Sequence, residues 1–259
     1  MLESLSSLKN RWRAGRVTTN GWLAIPDALP AEIAARSGLD SLCVDMQHGL
    51  IDQAAAVRIL QATTATDVPV FVRVPWNEPG AIMRALDAGA AGVIVPMVSS
   101  RAEAEAAVAA CRYPPAGIRS FGPVRPALTV GPGYFAAAND AVLVLAMIET
   151  RQALDDLDAI LTTPGLDGVY IGPADLSLAL GLAPEMDNAH ELHQSTVKRI
   201  LATAKRHGRF VGMHCNSPEF GATAAGWGAD FVTIVADTTA LRAEMARRVA
   251  RFGELLGQG

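Results

Sequence analysis

The chain has 259 residues, half of them hydrophobic and 19% charged, with a formal net charge of -4. That is ample material for a large core, in a length that fits one α/β barrel or two small domains, and its charge gives no footprint for nucleic acid or an anionic membrane surface. No run approaches the roughly 18 consecutive apolar residues that a bilayer span needs.

The N-terminus, MLESLSSLKNRWRAG, is polar and helix-like, with no apolar signal core. Eight short apolar runs follow: GWLAI from Gly21, SLCVD from Ser41, VFVRV from Val70, GVIVP from Gly92, then VLVLAMIE, GVYIG, FVGMH from Phe210 and FVTIV from Phe231. Near-continuous Val/Ile-rich runs are what parallel strands buried on both faces look like. Amphipathic segments of helical length separate most of them, among them DQAAAVRILQATTA, RAEAEAAVAACR and ELHQSTVKRILATAKRHG. Eight alternations predict a (β/α)8 TIM barrel, one domain over residues 1–259. The stretch from Arg112 to Asn139 is dense in Pro and Gly, holds Arg119 and Arg125, and reads as an irregular loop, either a lid or subunit contact or a plain surface loop. Cys43, Cys111 and Cys215 are scattered, form no CxxC pair, and fit reduced core thiols of a cytoplasmic protein.

In a barrel the chemistry gathers where the strands end. The second run ends in VDMQHG, giving Asp45 and His48, and the third places Arg73 in an otherwise apolar strand. His48 suits proton transfer near neutral pH, or is a histidine satisfied by a local carboxylate such as Asp45. A guanidinium at Arg73 needs an anion: an ion pair with Glu149 or Asp175, a developing oxyanion of a substrate, or both in turn. His214 is a candidate for the pocket wall or for core packing, and His190, His193 and His207 are expected in solvent.

The unit from Ala141 to Leu180 is strand, helix, strand, with Glu149 and Asp175 just past the two strands. A right-handed crossover puts both carboxylates at one end of the sheet, where their repulsion is relieved by a hard divalent cation on oxygen ligands, Mg²⁺ or Mn²⁺. Either residue could instead serve as a helix cap. The GPAD turn, with Gly172 and Pro173, exposes N–H groups at a helix start that suit a substrate carboxylate.

With DMQHG, VRVPWNEPGAIMRALDAGAAGVIVPMV, IET and GPADLSLALG together, the chain resembles the HpcH/HpaI family of metal-dependent hydroxyketoacid aldolases over essentially its whole length. The resemblance implies a TIM barrel assembled as a homo-oligomer, a hexamer built as a dimer of trimers. It implies a carbon–carbon lyase: reversible class II aldol cleavage of 4-hydroxy-2-oxo acids to pyruvate or hydroxypyruvate and an aldehyde, through an enolate held on Mg²⁺, Mn²⁺ or Co²⁺. By resemblance Glu149 and Asp175 are the metal ligands, His48 the general base, Arg73 the transition-state stabiliser, and Asp87 the carboxylate that raises the basicity of the histidine. Gly172, Ala174 and Asp175, with Arg73, would hold the small-molecule 2-oxo acid. The chain departs from the pattern at Gln47, where many relatives carry Glu, and at Met147, where many carry a substrate-binding Gln.

A Schiff-base aldolase needs a desolvated lysine, and the only lysines, Lys9, Lys198 and Lys205, lie outside every predicted strand. An acyl-CoA lyase or an oxaloacetate decarboxylase shares the enolate chemistry and is the nearest alternative. A catalytically silent barrel would be expected to lack one of His48, Arg73, Glu149 or Asp175, and all four are present.

Overall fold

The computed structural model describes residues 2–257. Each of the eight apolar runs is a strand: β1 (Thr18–Leu23), β2 (Ser41–Asp45), β3 (Val70–Arg73), β4 (Gly92–Val95), β5 (Leu143–Ile148), β6 (Gly168–Ile171), β7 (Phe210–His214) and β8 (Phe231–Ala236). They pair in sequence order, all parallel, and β1 closes the barrel on β8 with a register shift between Asn20 and Gly21.

Strand side chains alternate between two buried faces, which is why the sequence runs are apolar throughout. On β5, Leu143, Leu145 and Met147 point into the barrel with Cys43, Phe71, Tyr170 and Phe231. Val144, Ala146 and Ile148 face the surrounding helices. All three cysteines are free and buried.

Helix α1 (Leu2–Arg13) closes the end of the barrel where the strands begin. Its Leu5, Leu8 and Trp12 join the interior layer, each burial worth about 2 kcal/mol. Trp12 stacks on Phe231 at 4.9 Å and donates Nε1–H to Thr18 at 2.8 Å. Lys9 is buried there on Asp167 and the carbonyls of Asp140 and Ala141, remote from the strand ends. With that end sealed, the strand C-termini, where the chemistry of a barrel gathers, lie at the opposite mouth.

The first four crossovers are α2 (Ala28–Ala35), α3 (Gln53–Ala62), α4 (Pro79–Asp87) and α5 (Arg101–Cys111). Side chains of Asp27, Asp52, Glu78 and Ser100 cap their N-termini. The expected loop from Arg112 to Asn139 contains two helices, α6 (Val124–Thr129) and α7 (Tyr134–Ala141). Both are too short for periodicity to announce them, and the stretch is pinned by arginines. Arg119 lies over Tyr113 at 4.5 Å and bonds Tyr134, and Arg125 binds the carbonyls of Leu60 and Ala88.

The predicted helix between β5 and β6 is two, α8 (Arg151–Asp155) and α9 (Leu157–Leu161), broken at Asp156. Then come α10 (Pro173–Ala179), α11 (Glu191–Arg206), α12 (Pro218–Gly226) and α13 (Asp237–Leu255). Helix α13 has no buried residue. Between it and β1 lies an apolar groove of about 430 Å³, lined by Ile25, Pro30, Ile33, Leu39, Val235 and α13's own Leu241. No helix among the described residues is long and apolar enough to cross a membrane.

Candidate active site

Asp45 and Arg73 end adjacent strands at the same register level. Arg73 donates Nε–H to Asp45 Oδ1 at 2.9 Å and Nη2–H to Oδ2 at 2.7 Å. Asp45 also accepts Trp22 Nε1–H at 3.1 Å and the backbone N–H groups of Gln47 and His48 at 3.0 and 3.2 Å. Burial alone would raise the pKa of Asp45, but the bonds and charge of Arg73 hold it below the usual carboxylate value. Burial likewise works against the charge on Arg73, and Asp45 more than restores it. The guanidinium lies 4.9 Å from the Trp22 ring centroid.

This corrects two expectations. The partner of Arg73 is Asp45, on the neighbouring strand, not Glu149 or Asp175. Asp45 engages the backbone of His48 and not its ring, which is exposed at the mouth and makes no hydrogen bond among the described residues.

Glu149 follows β5 and is 2% exposed. Its Oε1 accepts the N–H of Met97 at 2.8 Å, a residue held at φ 56°, a conformation uncommon for a side chain-bearing residue. Its Oε2 is buried without a partner. Burial, with Asp175 nearby, pushes its pKa up to about 7 against the pull of Met97 and Arg73. It is not a helix cap: Thr150 caps α8 through Ala153 N–H at 3.0 Å. Gly172 makes room for it, since a Cβ there would stand 2.2 Å from Oε2.

Asp175 lies half-buried in the first turn of α10, next to Ala174. Gly172, the N-cap, supplies no side-chain acceptor, so the first N–H groups of that turn are free for an anion. The turn is braced from below. The carbonyl of Pro173 accepts Ser177 Oγ–H at 2.8 Å and lies 3.2 Å from His193 Nε2. His193 was expected in solvent and is fully buried, because it shares the inward face of α11 with Val197 and Ile200.

Asp87 is the last residue of α4, so it sits where that helix has returned to the start of β4, at the far end from the mouth. Its carboxylate takes Arg119 Nη2–H at 2.7 Å. The structure brings together His48, Arg73, Glu149 and the 172–175 turn, and does not bring Asp87 to them. Met147 faces inward two residues before Glu149, its Cε close to Gly172. His214 ends β7 with its ring edge against Trp22 at 4.8 Å. Sequence reasoning missed the structural part of Asp45, Trp22, Tyr170 and Met97. Only Asp45 carried a usable signal, an acid and an arginine ending consecutive strands.

A closed parallel (β/α)8 barrel with two carboxylates and an arginine–aspartate fork gathered at the strand ends has the architecture of an α/β barrel enzyme. The model of the HpcH/HpaI aldolase/citrate lyase family matches residues 20–243, and the chain belongs to that family. It is 42% identical over 246 residues to a hydroxypyruvate/pyruvate aldolase of Rhizorhabdus wittichii, covering 95% of this chain and 98% of that protein. A 4-hydroxy-2-oxo-heptane-1,7-dioate aldolase of Salmonella arizonae is 36% identical over 251 residues, 96% of this chain and 95% of that one. The crystal structure of a family protein from Burkholderia cenocepacia J2315 superposes with a TM-score of 0.88 at 30% identity, over 95% of this chain and 98% of that chain. The chain is an aldolase, a carbon–carbon lyase.

Proposed function

We propose that this aldolase joins and cleaves pyruvate or hydroxypyruvate and an aldehyde, with a divalent cation held by Glu149 and Asp175. The observation that carries the reading is Glu149 Oε2: a buried carboxylate oxygen with no partner, beside a second carboxylate. Two acidic oxygens suit a hard cation such as Mg²⁺, Mn²⁺ or Co²⁺. Such a cation, when bound, polarises the 2-oxo group and makes the neighbouring carbon acidic.

The chain's own residues do the rest. The free N–H groups around Ala174 and Asp175 take the substrate carboxylate. His48, exposed at the mouth, removes a proton from C3 and returns it after cleavage. Arg73 is fixed by Asp45 through Nε and Nη2, which leaves Nη1 for the oxygen on which negative charge develops. Held at the far end by Arg119, Asp87 has no part beside His48 of the same chain.

The whole chain, residues 1–259, is read as one catalytic domain of a cytoplasmic homo-oligomer, the hexamer included in that reading. Helix α13 supports assembly. Leu241, Met245, Val249 and Phe252, with Leu256 at the C-cap, are all more than half exposed, at spacings of four, four, three and four. The apolar groove beside β1 adjoins this stripe and shares Leu241 with it, and α13 of a second copy is the occupant we assign to the combined surface. The test is aldol cleavage of a 4-hydroxy-2-oxo acid after chelation and return of metal. Glu149→Ala and Asp175→Ala are expected to abolish it, and full activity in either contradicts the scheme.

A further inference from the structure

A chain of buried hydrogen bonds crosses the barrel interior and ends on His214. Each link fixes the direction of the next. Ser41 donates its hydroxyl proton to the Thr19 carbonyl at 3.3 Å and accepts from Asn20 Nδ2 at 2.9 Å, the pattern that uses every group in the network. That sets the orientation of the Asn20 amide, whose Oδ1 accepts the Thr233 hydroxyl at 2.9 Å. Thr233, its proton committed, accepts the Tyr170 hydroxyl at 2.6 Å. Tyr170 has then spent its own proton and faces His214 Nδ1 at 3.4 Å only as an acceptor.

The proton of the neutral imidazole is therefore on Nδ1, and Nε2 is a bare lone pair. Asn20, Ser41, Tyr170 and Thr233 are fully buried, so water does not reset the order. Burial, with Arg73 nearby, lowers the pKa of His214 to about 4, which agrees with a neutral ring at physiological pH. Nε2 is not sealed in the core: His214 is half-buried and that atom is not among the buried polar atoms without a partner. The ring packs edge-on against Trp22, the indole that also lies under Arg73, so it forms part of the wall of the catalytic mouth.

We propose that His214 is a specificity-determining residue whose unprotonated Nε2 accepts a hydrogen bond from a substrate hydroxyl, so that the site favours a hydroxylated partner over its deoxy counterpart. An acceptor-only, neutral group recognises a donor and gives nothing to a carbonyl or carboxylate oxygen. The identity of the substrates rests on the aldolase reading above. The hydroxyl has two possible carriers in that reaction, the methylene carbon of a hydroxypyruvate-type 2-oxo acid or the carbon next to the aldehyde.

Two measurements test this. In the first, the ¹⁵N resonances of the His214 ring are recorded without turnover. The expected result is a protonated Nδ1 and an unprotonated Nε2, with Nε2 shifting on addition of hydroxypyruvate or glycolaldehyde and not of pyruvate or acetaldehyde. Tyr170→Phe, which removes the acceptor for Nδ1–H, is expected to mix the two tautomers. In the second, kcat/KM ratios are compared in wild type and His214→Phe, for glycolaldehyde over acetaldehyde and for hydroxypyruvate over pyruvate. Loss of one hydrogen bond lowers one ratio about tenfold, and which ratio falls names the carrier. A ring protonated on Nε2, or two unmoved ratios, overturns the proposal. If no pair turns over in the wild type, the aldolase substrates are wrong, and the ring resonances still decide the role of His214.

Discussion

Asp45 and Arg73 hold one another by two parallel hydrogen bonds, 2.9 and 2.7 Å, at the ends of adjacent strands. Both are more than nine-tenths buried, so neither charge survives well without the other. Asp45→Ala is expected to cost about 3–5 kcal/mol of stability, read by chemical denaturation, because it strands a buried guanidinium. Arg73→Lys keeps the charge and loses the fork, and is expected to lower kcat by about 10²-fold or more with the fold retained. Near-wild-type turnover in Arg73→Lys would remove the oxyanion role assigned to it.

Glu149 binds its proton more tightly folded than unfolded, with a pKa of about 7 against 4.5. Its contribution to stability is thus full below pH 4.5 and lost as the pH rises to about 7. At about 1.4 kcal/mol per pKa unit the loss is a few kcal/mol. In EDTA the Tm is expected to fall between pH 5 and 7.5, less steeply in Glu149→Gln, and Mn²⁺ is expected to oppose the fall in wild type alone. Equal slopes in the two proteins would show that the ionisation of Glu149 is not felt.

Gly172 has φ -93° and ψ 97°, a backbone that any residue adopts. The cost of Gly172→Ala is therefore steric, a methyl group 2.2 Å from Glu149 Oε2. Mn²⁺ affinity by calorimetry is expected to fall at least about tenfold, with little change in circular dichroism, since one displaced ligand oxygen is worth more than 1.4 kcal/mol. Unchanged affinity would place the cation elsewhere.

Helix α13 carries its apolar stripe in solvent in the single chain. Met245→Glu with Val249→Glu is expected to reduce the molar mass measured by light scattering. An unchanged mass would assign the assembly to another surface.

The barrel was legible because each strand is buried on two faces and so spells a continuous apolar run; all eight were found from that alone. Helices α6, α7 and α13 carry no comparable signal. Two of these are one or two turns long amid Pro and Gly, and the third has no fully buried residue. At the site, the pairing of Glu149 with Asp175 follows from two strand ends and a crossover, and the structure sets them near one another. The choice of Asp45 by Arg73 depends on register between strands 25 residues and more apart. The support of Glu149 by Met97 depends on a backbone angle, which no residue type announces.

The most direct test of the account is exchange of the methyl protons of pyruvate with deuterium, followed by NMR, in EDTA and after return of Mg²⁺, Mn²⁺ or Co²⁺. The account predicts exchange that requires the metal and disappears in His48→Ala, with no aldehyde present. Absence of exchange with every metal, or metal-dependent exchange that survives in His48→Ala at the wild-type rate, would contradict it.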